Sequence, residues 1–168
     1  MSRFNEALRR TLYYEGGLSN DPADKGGATY KGISQRFLDS IGDTRNPAEL
    51  DDEDIADLYE DHFWLASEAN YIQSDLIAFK LFDMSVNMGV SRAAKILQQA
   101  VNDVIGTAAV VVDGKVGPLT ISYINHDIQD YVLIHEVRMV QDEFYSELVA
   151  NDMSQAKFTL GWARRAAW

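Results

Sequence analysis

The sequence contains no cysteine and is poor in basic residues. Its 168 residues include 15 Lys and Arg against 26 Asp and Glu, so the formal net charge is −11 at pH 7. The lack of cysteine excludes disulfides and thiolate metal sites. The acidic balance argues against nucleic acid as a partner, because phosphate binding requires a basic patch.

Long apolar runs are also missing. No window approaches eighteen consecutive apolar residues and the N-terminus lacks an apolar segment, so we expect neither stable membrane insertion nor a signal peptide. The histidines lie far apart in the sequence, without a second ligand at helical spacing: His62, His126 and His135. We therefore expect a monomer that is synthesised in the cytoplasm and carries no metal and no other cofactor.

Glycine is concentrated in one stretch. Five of the eleven glycines fall between positions 16 and 32, a density typical of a backbone that needs positive φ or approaches a ligand closely. Apolar spacing before it predicts an amphipathic helix over about residues 3–14, with Glu15 in the last turn and Gly16 ending it. The partial negative charge of that helix end opposes a carboxylate and raises its pKa. A carboxyl group that stays protonated near neutral pH can serve as a general acid.

A second carboxylate follows across a turn. Asp24 lies nine residues after Glu15, beyond the turn signal Asn20-Asp21-Pro22. Two carboxyl groups that face each other across a cleft can cleave a glycosidic bond, because one protonates the leaving oxygen and the other activates water or stabilises positive charge. The hydroxyls of Thr29 and Tyr30 can orient that water or a sugar. Taken singly, Glu15 could be a surface residue and Asp24 a turn cap, but their clustering with glycines favours a site.

Several blocks of the sequence resemble glycoside hydrolase family 108, whose members are bacterial and phage lysozymes. The first group of blocks is Tyr14-Glu15-Gly16-Gly17, residues 20–29 and Gly32-Ile33-Ser34. A second group resembles the predicted peptidoglycan-binding region of that family: Leu81-Phe82-Asp83, Asn87-Met88-Gly89, Asp113-Gly114, Gly117-Pro118 and Gly161-Trp162. One departure is that family members usually carry Asn-Tyr-Gly after the threonine, where this chain has Tyr30-Lys31-Gly32.

The resemblance implies a peptidoglycan hydrolase, a lysozyme or endolysin that cleaves the β-1,4 bond between N-acetylmuramic acid and N-acetylglucosamine. Glu15 would be the general acid, Asp24 the carboxylate that positions water or stabilises the oxocarbenium-like state, and Thr29 a water-orienting hydroxyl. The expected substrate-binding residues are Tyr14, Gly27, Tyr30, Asp83 and Asn87. The enzyme would degrade the bacterial cell wall during lysis, after release from the cytoplasm. A lytic transglycosylase, which needs one catalytic acid, and a non-catalytic wall-binding module remain alternatives.

The predicted fold class is mainly α with minimal β. Cap residues predict helices that begin after Ser34, near Asp51, after Ser74 and at Pro118, and a long helix covers about residues 128–148. We expect a lysozyme-like helical globule with a cleft between two lobes, a catalytic lobe of residues 1–72 and a helical lobe of residues 73–168 that resembles the peptidoglycan-binding region.

Three patterns allow two interpretations each. Asp83 and Asn87 are spaced i, i+4 on an otherwise apolar helix, so they are either a satisfied polar pair in the core or lining of the substrate cleft. Residues 46–79 contain ten acidic residues and no Lys or Arg, which indicates a solvated face or a charge-selective surface. The tail from residue 154 either packs on the core through its aromatic side chains or contacts an anionic wall or membrane.

Overall fold

The computed structural model describes residues 2–15 and 29–166, without the side chains of Tyr14, Glu15 and Thr29. Gly16, Asp24 and Gly27, three positions in the predicted site, lie outside the described residues. The chain divides into two compact units, Met1–Phe63 and Trp64–Trp168. The division into a catalytic and a binding lobe at residue 72 stays a prediction.

The first unit contains three helices and a short hairpin among its described residues. Its elements are α1 (Arg3–Glu15), β1 (Thr29–Tyr30), β2 (Ile33–Ser34), α2 (Gln35–Ile41), the 3-10 turn Pro47–Glu49 and α3 (Asp52–Tyr59). Helix α3 continues as a π-helical segment, Glu60–Leu65, which extends beyond the last residue of this unit, Phe63. Ser34 caps α2 because its Oγ accepts a hydrogen bond from the Phe37 amide at 3.2 Å. Asp51 caps α3 in the same way. Both predicted helix starts are confirmed.

All regular elements in the described residues of the second unit are helices. Its helices are α4 (Asp75–Met88), α5 (Val90–Ile105), α6 (Pro118–Ser122), α7 (Asp130–Asn151) and α8 (Thr159–Ala166). Shorter segments are the 3-10 turns Ala69–Tyr71 and Met153–Phe158 and the π-helical segment Tyr123–Asp127. The mainly α fold class is confirmed. No helix in the described part of the chain is both long and apolar enough to cross a membrane.

Helix α4 is the centre of the second unit. It begins after Ser74 as predicted, packs against α5 and α7, and is buried from Ile77 to Ser85. Trp64 covers one side of this helix, with its ring centroid 5.7 Å from that of Phe82 in an edge-to-face arrangement. A helix that is apolar on all sides is stable only when other elements surround it, so α5 and α7 complete the core that α4 begins.

The loop between α5 and α6 contains a tight turn at Asp113-Gly114. The side-chain amide of Gln98 donates to the Asp113 carboxylate and to the Lys115 carbonyl, both at 2.9 Å, and accepts from the Gly114 amide at 2.9 Å. Gly114 has φ 83°, and a Cβ there would lie 2.4 Å from Ser91 Oγ and 2.9 Å from the Ser91 carbonyl oxygen. The turn therefore requires glycine for both its conformation and its contact with α5.

Gly114→Ala is expected to lower the free energy of unfolding more than Gly106→Ala. Both glycines have positive φ, where an L-residue costs about 1–2 kcal/mol, but a Cβ at Gly106 has no atom within 4 Å. The collision with Ser91 should add roughly 1–3 kcal/mol at Gly114. Urea unfolding of both variants measures the difference, and equal losses would contradict the tight packing of the turn.

A buried lysine holds α8 on α4. Lys80 is 1% exposed, and its Nζ donates to the carbonyl oxygens of Arg165 at 2.7 Å and Ala166 at 3.2 Å, in the last turn of α8. The guanidinium of Arg165 lies 3.7 Å from the carboxylate of Asp83, and both are buried. Burial lowers the pKa of Lys80 to about 8, although the Asp83 carboxylate acts in the opposite direction. The described part of the tail therefore packs within its own unit, in agreement with the first interpretation above.

The stability of the second unit should depend on the titration of Lys80. Because the pKa is about 8 in the native state and near 10.5 in the unfolded chain, the unfolded chain binds more protons between these values, and stability rises with pH in that window. Compared with Lys80→Met, which cannot titrate, the free energy of unfolding of the wild-type protein should rise by up to about 1.4 kcal/mol per pH unit.

Urea unfolding of the wild-type protein and Lys80→Met in steps from pH 8 to 10.5 measures this difference. Titrations common to both proteins cancel in the comparison. A difference that stays constant or decreases with pH would show that the pKa of Lys80 is not lowered in the native state.

Candidate functional site

Glu15 is the last residue of α1, which confirms its predicted place in the last turn of that helix. Near its start, α1 buries its apolar side through Phe4, Ala7 and Leu8. These residues fix the helix in the first unit. The last turn contains no basic residue. None of its own side chains therefore offsets the partial negative charge of the terminal carbonyl groups. This backbone setting is the one that disfavours an ionised carboxylate.

The hairpin that follows the glycine-rich stretch is not predicted by the sequence. Thr29 pairs with Ser34 and Tyr30 pairs with Ile33 in an antiparallel arrangement. Strands of two residues are too short for an alternating pattern to be recognised, and the sequence indicates a loop to about residue 30 instead. The hairpin places the backbone of Thr29 and the half-exposed ring of Tyr30 directly after the predicted catalytic loop.

Lys31 and Gly32 form the turn of this hairpin, with φ values of 46° and 82°. Two successive positive φ values are typical of a type I′ turn, and Lys31 is an unusual residue in that conformation. Its carbonyl accepts a hydrogen bond from the Tyr59 hydroxyl at 2.9 Å, and its ammonium pairs with the Asp52 carboxylate. The hydrogen bond to Asp52 raises the pKa of Lys31. These contacts from α3 fix the conformation of Lys31, the residue at which the sequence departs from the usual Asn-Tyr-Gly pattern.

Several residues of the acidic stretch stabilise the structure locally. Asp51 accepts hydrogen bonds from the amides of Glu53 and Asp54 at the start of α3, and the Asp54 carboxylate lies 2.5 Å from the guanidinium of Arg45. Others, such as Asp57, are exposed to solvent. The solvated-face interpretation fits the exposed residues, and the remainder act as helix caps and ion-pair partners.

The structure separates Asp83 from Asn87. Asp83 is fully buried beside Arg165, which favours the core interpretation, and substrate binding by Asp83 stays a prediction. Asn87 is exposed at the end of α4, and its Oδ1 accepts a hydrogen bond from the Tyr145 hydroxyl at 2.8 Å. Substrate binding by Asn87 stays a prediction.

Tyr145 connects three elements of the second unit. Its hydroxyl donates to Asn87 on α4 and accepts from the buried side-chain amide of Gln141 on α7 at 3.0 Å. Its ring stacks on Trp162 of α8 with centroids 4.8 Å apart and planes 6° apart. Burial raises the pKa of Tyr145, so the phenol keeps its proton at neutral pH and remains a donor to Asn87.

A cavity of about 520 Å³ opens between α7 and α8 beside this stack. Its wall contains aromatic rings, hydroxyl groups and one carboxylate, from Asp142, Tyr145, Ser146, Thr159 and Trp162. Such a combination suits a sugar, because aromatic rings contact the apolar face of a pyranose while the polar groups bind its hydroxyls. The described side chains contain no group of three or more His, Asp or Glu residues arranged for a metal ion.

Gln141 and Tyr145 are the residues that the sequence analysis missed. Their i, i+4 spacing on α7 is visible in the sequence, but a search for apolar periodicity does not select a buried amide. Trp162 belongs to the Gly161-Trp162 block, so the resemblance pointed to it without giving a role. Asn87, which accepts the hydrogen bond from Tyr145, is one of the substrate-binding residues predicted from the sequence.

Tyr145→Phe should lower the free energy of unfolding by about 1–3 kcal/mol, because it leaves the buried amide of Gln141 without its acceptor. Tyr131→Phe is the matched control, since Tyr131 lies on the same helix and is 69% exposed. That control should change stability by less than about 0.5 kcal/mol. Urea unfolding measures both, and equal effects would contradict the role of the Tyr145 hydroxyl as a link between α4 and α7.

Comparison with known proteins agrees with the resemblance. Residues 8–89 match the sequence profile described as "Glycosyl hydrolase 108". This segment of the chain is similar to the glycosyl hydrolase 108 family. It contains residues 8–15 of α1, the hairpin and α4, and therefore Glu15, Thr29, Asp83 and Asn87. Residues 92–167 match the profile described as "Predicted Peptidoglycan domain". The two matches together support a glycoside hydrolase that acts on peptidoglycan.

A solved structure shares the fold of this chain. The structure of Brucella abortus SagA superimposes with a TM-score of 0.80 at 23% sequence identity, covering 98% of this chain and 89% of that one. The likeness supports the mainly α, lysozyme-like fold. No curated protein sequence matches this chain.

Proposed function

We propose that this protein is a muramidase that hydrolyses the β-1,4 bond between N-acetylmuramic acid and N-acetylglucosamine in peptidoglycan. The observation that carries the proposal is the position of Glu15, the last residue of α1, inside the segment that matches glycosyl hydrolase 108. A helix C-terminus favours the protonated form of a carboxyl group, as a general acid requires.

In the proposed reaction Glu15 donates its proton to the glycosidic oxygen as the bond to the anomeric carbon breaks. Asp24 stabilises the positive charge that develops on the sugar ring or positions the water that attacks it. Thr29 orients the same water through its hydroxyl. Tyr14, Gly27 and Tyr30 bind the sugars beside the bond. The contacts of Tyr59 and Asp52 with Lys31 support the assignment of Tyr30, because they fix the hairpin that carries it.

Asn87 and the cavity beside Tyr145 are proposed to bind another part of the glycan. The hydrogen bond from the Tyr145 hydroxyl occupies one lone pair of Asn87 Oδ1. The side-chain amide nitrogen of Asn87 can then donate to a sugar or acetamido oxygen. A site held by a buried tyrosine loses little entropy when the ligand binds.

Glu15→Gln should lower the rate of wall lysis by about 10²–10⁴-fold, because it removes the proton donor and keeps the size and polarity of the side chain. Asp24→Asn should lose less, since Thr29 still orients water. Clearance of turbidity in suspensions of purified sacculi measures both, with circular dichroism as the control for folding. A Glu15→Gln variant that keeps a tenth or more of the wild-type rate would remove Glu15 from the mechanism.

The products distinguish this proposal from its alternatives. A muramidase adds water and yields reducing muramic acid ends, whereas a lytic transglycosylase yields 1,6-anhydro ends that are lighter by one water molecule. Asp24 favours hydrolysis because a second carboxylate can activate water. Mass spectra of digested sacculi decide between the two. Sedimentation with sacculi without any product would instead identify a wall-binding module.

A role in cell lysis, as in phage endolysins, goes with the muramidase activity. The formal charge of −11 sets this chain apart from basic lysozymes, which are attracted to the anionic wall over long distances. Expression inside a bacterium together with a separate means of membrane permeabilisation tests the role. Lysis that requires both the intact Glu15 and the permeabilising agent is the expected result.

A further inference from the structure

A groove in the second unit lies apart from the cavity beside Tyr145 and contains none of the residues proposed for catalysis. It has a volume of about 540 Å³, and its wall includes Glu68, Tyr71, Val116, Pro118 and His126. Tyr71 is 61% exposed. A tyrosine ring at the edge of an open groove offers an apolar face and a hydroxyl to a ligand.

The backbone that carries Tyr71 is held firmly in place. The side chain of Asn125 donates to the Tyr71 carbonyl at 2.9 Å and accepts from the Gln73 amide at 2.9 Å. Ser74 adds a hydrogen bond to the Asp130 carboxylate at 2.6 Å. An exposed ring on a fixed backbone is prepared for binding, because less conformational freedom is lost when a ligand arrives.

Glu68 has φ 62°, the left-handed conformation that a residue with a side chain rarely adopts. Such strain costs about 1–3 kcal/mol and often marks a functional position. Here it places Glu68 where the groove meets a second depression of about 360 Å³. Glu68 and Val116 line both spaces, and the second contains Ser91 and Lys115. Two adjoining depressions suit a linear polymer better than a small molecule.

The chemistry of the groove favours a neutral sugar chain. The described lining of the groove contains one carboxylate, Glu68, and no Lys or Arg, so it repels polyanions such as teichoic acids and phosphorylated polymers. Aromatic and aliphatic walls contact pyranose faces and acetamido methyl groups, while Ser91 and His126 can bind hydroxyls. Val116, Pro118 and His126 also fall within the segment that matches the predicted peptidoglycan domain.

We infer that this groove binds the glycan strand of peptidoglycan, with one N-acetylated sugar stacked on Tyr71 and its neighbour extending past Glu68 towards Ser91. The choice of polymer rests on the proposed function. The site itself would increase the time that the enzyme spends on the wall, and it makes no contribution to bond cleavage.

Fluorine NMR of protein labelled with 3-fluorotyrosine tests this directly. The full chain carrying Glu15→Gln is titrated with the tetramer of N-acetylglucosamine, which avoids turnover, and the resonances of Tyr71 and Tyr131 are assigned by Tyr→Phe variants. The Tyr71 resonance should shift to saturation, and that of Tyr131, an exposed tyrosine on α7, should not. A Tyr71 resonance that stays unchanged at concentrations that saturate other tyrosines would overturn the inference.

Affinity gives the second measurement. Tyr71→Ala should weaken sedimentation with sacculi by roughly fivefold, from the loss of one aromatic contact, while Tyr131→Ala keeps wild-type affinity. Equal affinity in the two variants would refute the site. A Tyr71 shift on adding sugar-free stem peptide, but not the tetramer, would refute the glycan as occupant. Because these measurements do not depend on lysis, a protein that binds through Tyr71 but fails to cleave sacculi would refute the proposed hydrolysis alone.

Discussion

The contact between the ammonium of Lys80 and the terminal carbonyls of α8 fixes the arrangement of the second unit. A helix end buried without partners for its last carbonyl groups is unstable, and this lysine supplies them from the core helix. With α8 held there, Trp162 stacks on Tyr145, and the Tyr145 hydroxyl is directed to Asn87. The position of one candidate substrate-binding residue thus depends on a lysine whose own charge is costly to bury.

The first unit holds short elements in position by polar contacts in addition to its buried apolar residues. Its hairpin has two residues in each strand, too few to be stable alone. Tyr59 and Asp52 from α3 bind the turn, and Arg45 links Asp43 to Asp54. Side-chain contacts to the backbone and ion pairs therefore act here together with buried apolar side chains.

The sequence predicts those features that depend on local chemistry. The starts of three helices are predicted from Ser34, Asp51 and Ser74, because a capping side chain accepts hydrogen bonds from amides next to it in the chain. Apolar spacing alone predicts the position of Glu15 at the end of α1. Features that depend on distant partners are not predicted. The hairpin turn at Lys31 requires Tyr59, and the burial of Asp83 requires Arg165, so no pattern near either residue reveals them. The catalytic assignment came from a resemblance in residues 14–34 more than from periodicity.

Helix α4 also has a consequence for how this protein can be divided. It lies within residues 8–89, the glycosyl hydrolase 108 segment, yet it is the core helix of the compact unit that begins at Trp64. A fragment cut between the two family matches would expose the apolar surfaces of α5 and α7 that α4 covers. The boundary between the matched segments is therefore not a folding boundary, and any exchange of the C-terminal part between relatives must carry α4 with it.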